Sequence, residues 1–152
     1  MATDFKWKAN TIQTLLSTEL NSLANNYGAL GVEFDNASGL WLKASFLLTV
    51  TFGSNPTAGN TCDLYLIPAL DGTNYADNTT GASGYAPGSS YIGGFPLQAK
   101  TSIHRVPLGV GLQGAIELPP SKFKVLLINK SGVAFPSSGS TVTMLASMFQ
   151  GV

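Results

Sequence analysis

Charge is what this 152-residue chain has least of: eight Lys plus Arg and eight Asp plus Glu, 11% of its residues, with a formal net charge of zero. A typical soluble domain carries ~25% charged residues, so something other than ions must cover this surface. The shortage argues against a basic nucleic-acid-binding face, because phosphate affinity is assembled from many Lys and Arg contacts. A hydrophobic content of 44% argues equally against an acidic, disordered chain. The single cysteine, Cys62, leaves no internal disulfide and no thiolate zinc cluster. No apolar run approaches the ~18 residues of a membrane-spanning helix. The opening residues MATDFKWKANTIQ hold no apolar signal core, which predicts synthesis and folding in a cytoplasm. The Asn36, Asn78 and Asn129 sequons then read as chance matches.

What is abundant is uncharged polarity: 17 Gly, 15 Ser, 14 Thr and 10 Asn. Near-zero net charge gives little electrostatic protection against association, so contact with other proteins is expected. The length suits a single domain spanning 1–152, large enough to bury a core without covalent staples.

Helical periodicity occurs once. Ile12, Leu15, Leu16, Leu20 and Leu23 fall on one helix face, Asn10 suits an N-cap, Gln13 sits as in a capping box, and Tyr27-Gly28 supplies a stop. The pattern predicts a short helix over about 11–25. Ahead of it, Asp4-Phe5-Lys6-Trp7-Lys8 alternates aromatic and charged residues, as in a strand of the same domain or an arm (residues 1–9) reaching a neighbour. After residue 30 the period becomes two. Leu40, Leu42, Ala44, Phe46, Leu48, Val50 and Phe52 share one face of a long strand. Further strands are expected at Cys62–Leu70, Tyr91–Ala99, His104–Val110, Ala115–Leu118, Phe123–Asn129 and Thr141–Phe149. Seven or eight strands at hairpin spacing, without βαβ alternation, predict a mainly β protein: an antiparallel β-sandwich or jelly roll. The irregular stretch 71–90 is expected to be a long surface loop whose aromatics, Tyr75 and Tyr85, contact a partner or pack on the sandwich.

Constellations that could carry chemistry are weak. Gly109 to Gly114 matches G-x-G-x-x-G, but Pro119-Pro120 follows instead of a helix, and no acidic residue stands about 20 positions on. His104 is the only histidine, and no serine sits in a nucleophile elbow. Cys62 opens an apolar strand and reads as a small buried residue. Glu33 and Asp35 share a strand face, which suits a calcium ligand pair or a glycosidase pair, yet solvated turn residues are the plainer reading. Trp41, Tyr65 and Tyr91 would suit a sugar-stacking platform, or core and interface packing. No acid, base and nucleophile assemble, so the expectation is a protein without enzymatic activity, cofactor or metal.

The stretches Thr18-Glu19-Leu20-Asn21-Ser22-Leu23, Asp63 to Tyr75, and Leu118 to Val125 followed by Asn129-Lys130-Ser131-Gly132 resemble small virion structural proteins of tailed bacteriophages. The resemblance runs through nearly the whole chain in order. It implies a β-sandwich or jelly-roll component of the particle, most specifically a head decoration (cement) protein binding the major capsid lattice or other virion proteins. It carries no catalytic motif. A tail-fibre, baseplate or collar module of the same fold is the nearer alternative, and a glycan-binding β-sandwich the more distant one. The implied location is the virion, with no nucleic-acid or membrane partner. A homo-oligomer is expected, a trimer above others, because threefold positions on a shell favour it. Phe5, Trp7, Tyr75 and Tyr85 are the expected subunit or partner contacts.

Overall fold

The computed structural model describes residues 4–110 and 114–151. Two antiparallel sheets pack face to face. The first holds β1 (Phe5–Ala9), β2 (Gln13–Leu16), β5 (Lys43–Val50), β9 (His104–Leu108), β10 (Ile116–Glu117) and β12 (Thr141–Gly151). The second holds β3 (Tyr27–Leu30), β4 (Phe34–Asp35), β6 (Thr61–Pro68), β7 (Gly81–Ala82), β8 (Tyr91–Pro96) and β11 (Lys122–Asn129). The long strands run in the order β2-β12-β5-β9 in the first sheet and β3-β11-β6-β8 in the second. Of the links between successive long strands, only β6 to β8 stays within one sheet; the others cross between sheets.

The core lies where the two period-two patterns meet. Phe46, Leu48, Val50, Val142 and Met144 from the first sheet face Leu64, Phe95, Phe123, Val125 and Leu127 from the second, all buried. Alternation places these side chains inward and their neighbours outward. The long strand begins later than its pattern suggests. Leu40 and Leu42 are half exposed, and Leu40 adopts φ 46°, so pairing starts at Lys43.

The expected helix over 11–25 does not form. Residues 13–16 pair instead with β12, Leu16 opposite Val142 and Gln13 opposite Met144, across a bulge. A single 3-10 turn, Thr18–Leu20, follows, and positive φ at Ser22 and Asn26 prevents its continuation. Leu15, Leu16, Leu20 and Leu23 are still buried, whereas Ile12 is exposed. A bulged strand, a 3-10 turn and a bend therefore bury almost the same set as one helix face would. The edge of β12 supplies backbone partners that outweigh a weak helical propensity in a Ser-, Thr- and Asn-rich segment. At this corner the Leu15 carbonyl accepts the Val32 N–H at 3.0 Å. A Cβ at Gly31 would lie 2.3 Å from that oxygen, so only glycine permits the approach.

Residues 71–90 are a cover. The outer face of the second sheet carries Ile67, Leu126 and Ile128, and Tyr75, Ala76 and Ala86 pack over them as a second small core. Tyr75 is fixed at both ends: its hydroxyl donates to the Glu33 carboxylate, and the Lys124 ammonium stands 4.7 Å from its ring centroid. Glu33 also pairs with Lys122 at 3.1 Å. Asp71 caps the turn that opens the excursion, accepting the Thr73 and Asn74 N–H groups.

Two asparagines that fall in sequons prove to be internal fasteners. Asn129 Nδ2 donates to the carbonyls of Leu23 (3.0 Å) and Val133 (2.8 Å), and its Oδ1 accepts the Ser131 N–H at 3.0 Å. Asn36 Nδ2 donates to the Trp41 and Pro119 carbonyls, and its Oδ1 accepts the Trp41 N–H. Both are fully buried. Replacing Asn129 by Ala removes all three bonds; the Leu23 and Val133 carbonyls keep the Phe135 N–H and the Ser131 hydroxyl, whereas the Ser131 N–H is left without its partner, at about 1–3 kcal/mol when buried unpaired. A loss of about 1–3 kcal/mol is expected in urea unfolding; a midpoint equal to wild type would contradict the fastening role.

The Tyr75 contact has a pH signature. Partial burial, then the hydrogen bond to Glu33, pushes the phenol from 10.0 up to about 12. The bonds from Tyr75 and Lys122 hold the Glu33 carboxyl below its usual value. For Tyr75 the native state favours the protonated form, so this stabilisation is complete below the ordinary phenol value and is lost as pH rises through about 12. For Glu33 the native state favours the charged form, so its contribution holds above the ordinary carboxylate value and is lost as pH falls through the lowered one. In an ultraviolet alkaline titration of the folded protein, Tyr75→Phe should remove a late-ionising phenol. A late component of unchanged amplitude in the variant would contradict the contact.

Candidate functional site

Among the described residues, none packs over the outer face of the first sheet. Strands β5, β12 and β9 turn Leu47, Thr143, Leu145 and Pro107 outward, and a shallow groove of about 230 Å³ runs between Ile12, Leu47, Pro107, Val110 and Leu145. Leu145 is 41% exposed and Ile12 69%. Charged side chains on this face stand at its margins, Lys43 opposite Ser147 at one end and Arg105 opposite Thr49 at the other.

The apolar stripe continues onto a projecting ribbon. Strand β12 pairs with β5 only as far as Ser147, opposite Lys43, whereas β1 pairs with residues 147–151. Residues 148–151 and 5–8 therefore form a two-stranded ribbon running past the end of β5. All five residues of β1 are exposed. Trp7 lies opposite Phe149 with ring centroids 4.2 Å apart, and Phe5 follows on the same face. Lys6 and Lys8 point the other way, and the Lys8 ammonium stands 5.5 Å from the Trp41 ring centroid. The alternation Phe-Lys-Trp-Lys thus gives the ribbon one aromatic face and one cationic face. Among the described residues, β1 has a strand partner on one side only, and lysine on such an edge discourages unselective strand pairing.

The expected contact residues divide. Phe5 and Trp7 lie together on the exposed ribbon face, at 76% and 49% exposure. Tyr75 is occupied within its own chain, and Tyr85 is exposed on the excursion, its backbone bridged to Thr79. Phe149, Leu145 and Ile12 belong to the same surface, yet sequence reasoning did not single them out as contacts. The signal available was Leu145 and Phe149 on the polar side of the Thr141–Phe149 alternation.

The weaker candidates also find places. Of Gly109 to Gly114, residues 111–113 lie outside the described residues, and Gly109 follows β9 with φ 73°. His104 is 2% exposed, its Nε2 is 3.0 Å from the Gln98 carbonyl, and its ring meets Phe52 edge-on. Burial and the neighbouring Asp63 charge push the Cys62 thiol from 9.0 to about 12, far from a reactive thiolate. Glu33 is engaged by Tyr75 and Lys122, while Asp35 accepts the Ala37 N–H. Of the three aromatics that could have formed a platform, Tyr65 and Tyr91 meet at 5.4 Å on the second sheet, and Trp41 packs beside the first sheet's end of the core.

No protein-family model matches the chain, and no curated protein matches it in sequence. Among solved structures, it is similar in outline to a chain of Desmodium yellow mottle tymovirus, with a TM-score of 0.38 and 11% identity over 99% of this chain and 89% of that one. It is similar to the same degree to a chain of turnip yellow mosaic virus, TM-score 0.37 and 14% identity over 99% and 82%. A carbohydrate-binding module of the β-sandwich superfamily follows at TM-score 0.33 and 8% identity, over 96% and 56%.

Proposed function

We propose that this protein is a structural component of a bacteriophage virion, a capsid decoration protein that seats the outer face of its first sheet on the major capsid lattice. The observation that carries the proposal is the difference between its two outer faces. The chain spends residues 71–90 on covering the apolar outer face of the second sheet, whereas no described residue covers the corresponding face of the first. Exposed apolar patches rimmed by polar residues mark interaction surfaces. The strand order β2-β12-β5-β9 against β3-β11-β6-β8 is that of a jelly roll, an architecture used by viral capsid domains and by lectins. Fold alone does not assign function, so the weight rests on the surface. The sequence resemblance to virion proteins points the same way.

In this reading the protein performs no chemistry. The ribbon anchors, the apolar stripe excludes water, and the scarcity of charge makes attachment insensitive to salt, since exposed charge pairs are screened as ionic strength rises. Self-association into a trimer, matched to threefold positions on a shell, belongs to the same proposal. A tail-fibre, baseplate or collar position would use the same surface. Cryo-electron microscopy of purified particles separates these sites directly. Density for this chain on the head at symmetric positions supports decoration, density confined to the tail moves it there, and absence from particles ends the virion reading.

Variants test the surface itself. Trp7→Ala and Leu145→Asp change exposed side chains, so melting temperatures should stay within a few degrees of wild type. Attachment to undecorated particles should weaken by about 2 kcal/mol or more, roughly 30-fold, for Trp7→Ala. Wild-type attachment should survive a rise from about 0.1 M to about 1 M NaCl. Deleting residues 1–9 should abolish attachment while the shared core stays folded. A truncated protein that melts far earlier yet decorates particles at normal occupancy would end the anchoring role.

A further inference from the structure

The edge of the sandwich where β8 and β9 meet carries a cluster of another kind. Among the described residues each strand pairs on one side only, β8 with β6 and β9 with β5. Residues 97–103 join them from one sheet to the other. A cavity of about 240 Å³ lies here, lined by Pro96, Gln98 and Lys100 on one side and by His104, Arg105 and Pro107 on the other. Arg105 is the chain's single arginine and His104 its single histidine. The walls are fixed by backbone bonds. Leu97 N–H donates to the Asn60 carbonyl at 2.9 Å, and the Leu97 carbonyl accepts the Gly59 N–H at 3.2 Å. The Gln98 carbonyl accepts the Lys100 N–H at 2.8 Å and stands 3.0 Å from His104 Nε2, which therefore carries the proton. With both lone pairs engaged, that carbonyl presents no bare acceptor to the cavity.

Lys100 and Arg105 meet no counter-charge. The ion pairs among the described residues are Lys122 with Glu33 and Lys130 with Asp63, and neither cavity cation takes part. Residues 36–62 and 78–116 supply β5, β8, β9 and the connecting turn, and they contain no Asp or Glu. Asp63, on the neighbouring strand β6, is already committed to Lys130. A chain of zero net charge thus keeps two uncompensated positive charges beside one cleft. Clefts lined by one sign of charge concentrate ions of the other, and proline walls without N–H groups leave the cations as the donors that a ligand meets.

We infer that this cavity is a binding site for a dianionic phosphate group, free or at the end of a small organic molecule. The charge of the group matches Lys100 and Arg105 together, whereas a carboxylate leaves one cation uncompensated. The guanidinium fork takes two phosphate oxygens and the ammonium a third, in charge-assisted bonds. A nucleic-acid backbone does not fit, since it demands many phosphate contacts and the other lysines stand elsewhere: Lys6 and Lys8 on the ribbon, Lys122 and Lys124 beside Glu33 and Tyr75. Pro107 also borders the apolar groove of the first sheet, yet the cations that bind phosphate take no part in that groove. The site does not rest on the assembly reading, and the two fail separately.

Amide NMR of the full-length protein, titrated with sodium phosphate at about pH 8, where the dianion dominates, tests this at ionic strength held constant with NaCl. Saturable shifts are expected in residues 96–108. Glycerol phosphate should shift the same amides, and tighter binding than phosphate would show that the ester's organic part is held as well. Acetate should bind at least about tenfold more weakly, and Arg105→Gln and Lys100→Gln should each weaken phosphate binding by about tenfold or more. Arg105 is exposed and Lys100 half-buried, so both variants should fold, as their remaining amide signals will show. Lys6→Gln, on the ribbon at the far end of β5, should leave phosphate binding unchanged. Shifts that never saturate overturn the proposal. So does acetate binding as tight as phosphate, phosphate binding that survives both cavity variants, or a loss in Lys6→Gln equal to theirs.

Discussion

The Asn129 amide is the fastening on which the arrangement of the two sheets depends. It ends β11, the central strand of the second sheet, at the point where the chain leaves for β12, the central strand of the first. Its side chain shapes the start of that crossing through Ser131 and Val133 and ties it to the Leu23 carbonyl, on the segment that makes the reverse journey from β2 to β3. Ser22 N–H to the Pro136 carbonyl and Phe135 N–H to the Leu23 carbonyl continue the seam. Two crossings are thus held side by side by buried hydrogen bonds, and a buried polar network specifies one arrangement only when every member is satisfied. Strand β12 then serves as a rail for β5 on one edge and for β2 and β1 on the other. The projecting ribbon exists because that rail is longer than β5.

The legible part of the fold was the part with one buried face. Ala44 to Phe52 and Val142 to Met148 alternate because inward positions must be apolar and outward ones need not be, and that rule leaves its trace in sequence. The 11–25 segment deceived for a physical reason. Spacings of three, four, eight and eleven from Ile12 to the four leucines arise equally from a bulged strand, a 3-10 turn and a bend, and the deciding partner, β12, lies about 130 residues away. The two-residue strands β4, β7 and β10 are too short to carry any period. Asn129 and Asn36 looked like sequons because the sequence shows a side chain but not its burial. Asn129 ends an apolar run just before Lys130-Ser131-Gly132, and that is the visible hint of a capping role.

The site was legible by fragments. Phe5 and Trp7 stood out because aromatics alternate with lysines outside any apolar run. Their partner Phe149 hid at the end of a strand that reads as core. Tyr75 looked available because a Gly- and Ser-rich excursion resembles a loop in search of a partner, whereas its partner is the chain's own Ile67, Leu126 and Ile128. Tyr65 and Tyr91 were grouped with Trp41 by residue type. Topology keeps the tyrosines together and sends Trp41 elsewhere, and no spacing rule foretells a contact made across a bulge.

The two outer faces suggest how one small sandwich can separate its tasks. The hydrophobic demand of the second sheet's outer face is met from within, by Tyr75, Ala76 and Ala86 over Ile67, Leu126 and Ile128. The stripe that the described residues leave exposed on the first sheet is narrow, and its marginal charges and edge lysines discourage random pairing. The residues on the stripe lie outside the buried core and the Asn129 seam, so their substitution acts on contact rather than on folding. Stability resides in inward-facing positions and the seam, and the proposed contacts lie in outward-facing ones. The strict alternation of β5 and β12 separates the two residue by residue, so a partner's surface can reshape Leu47, Leu145 and Phe149 while Phe46, Val142 and Met144 stay fixed.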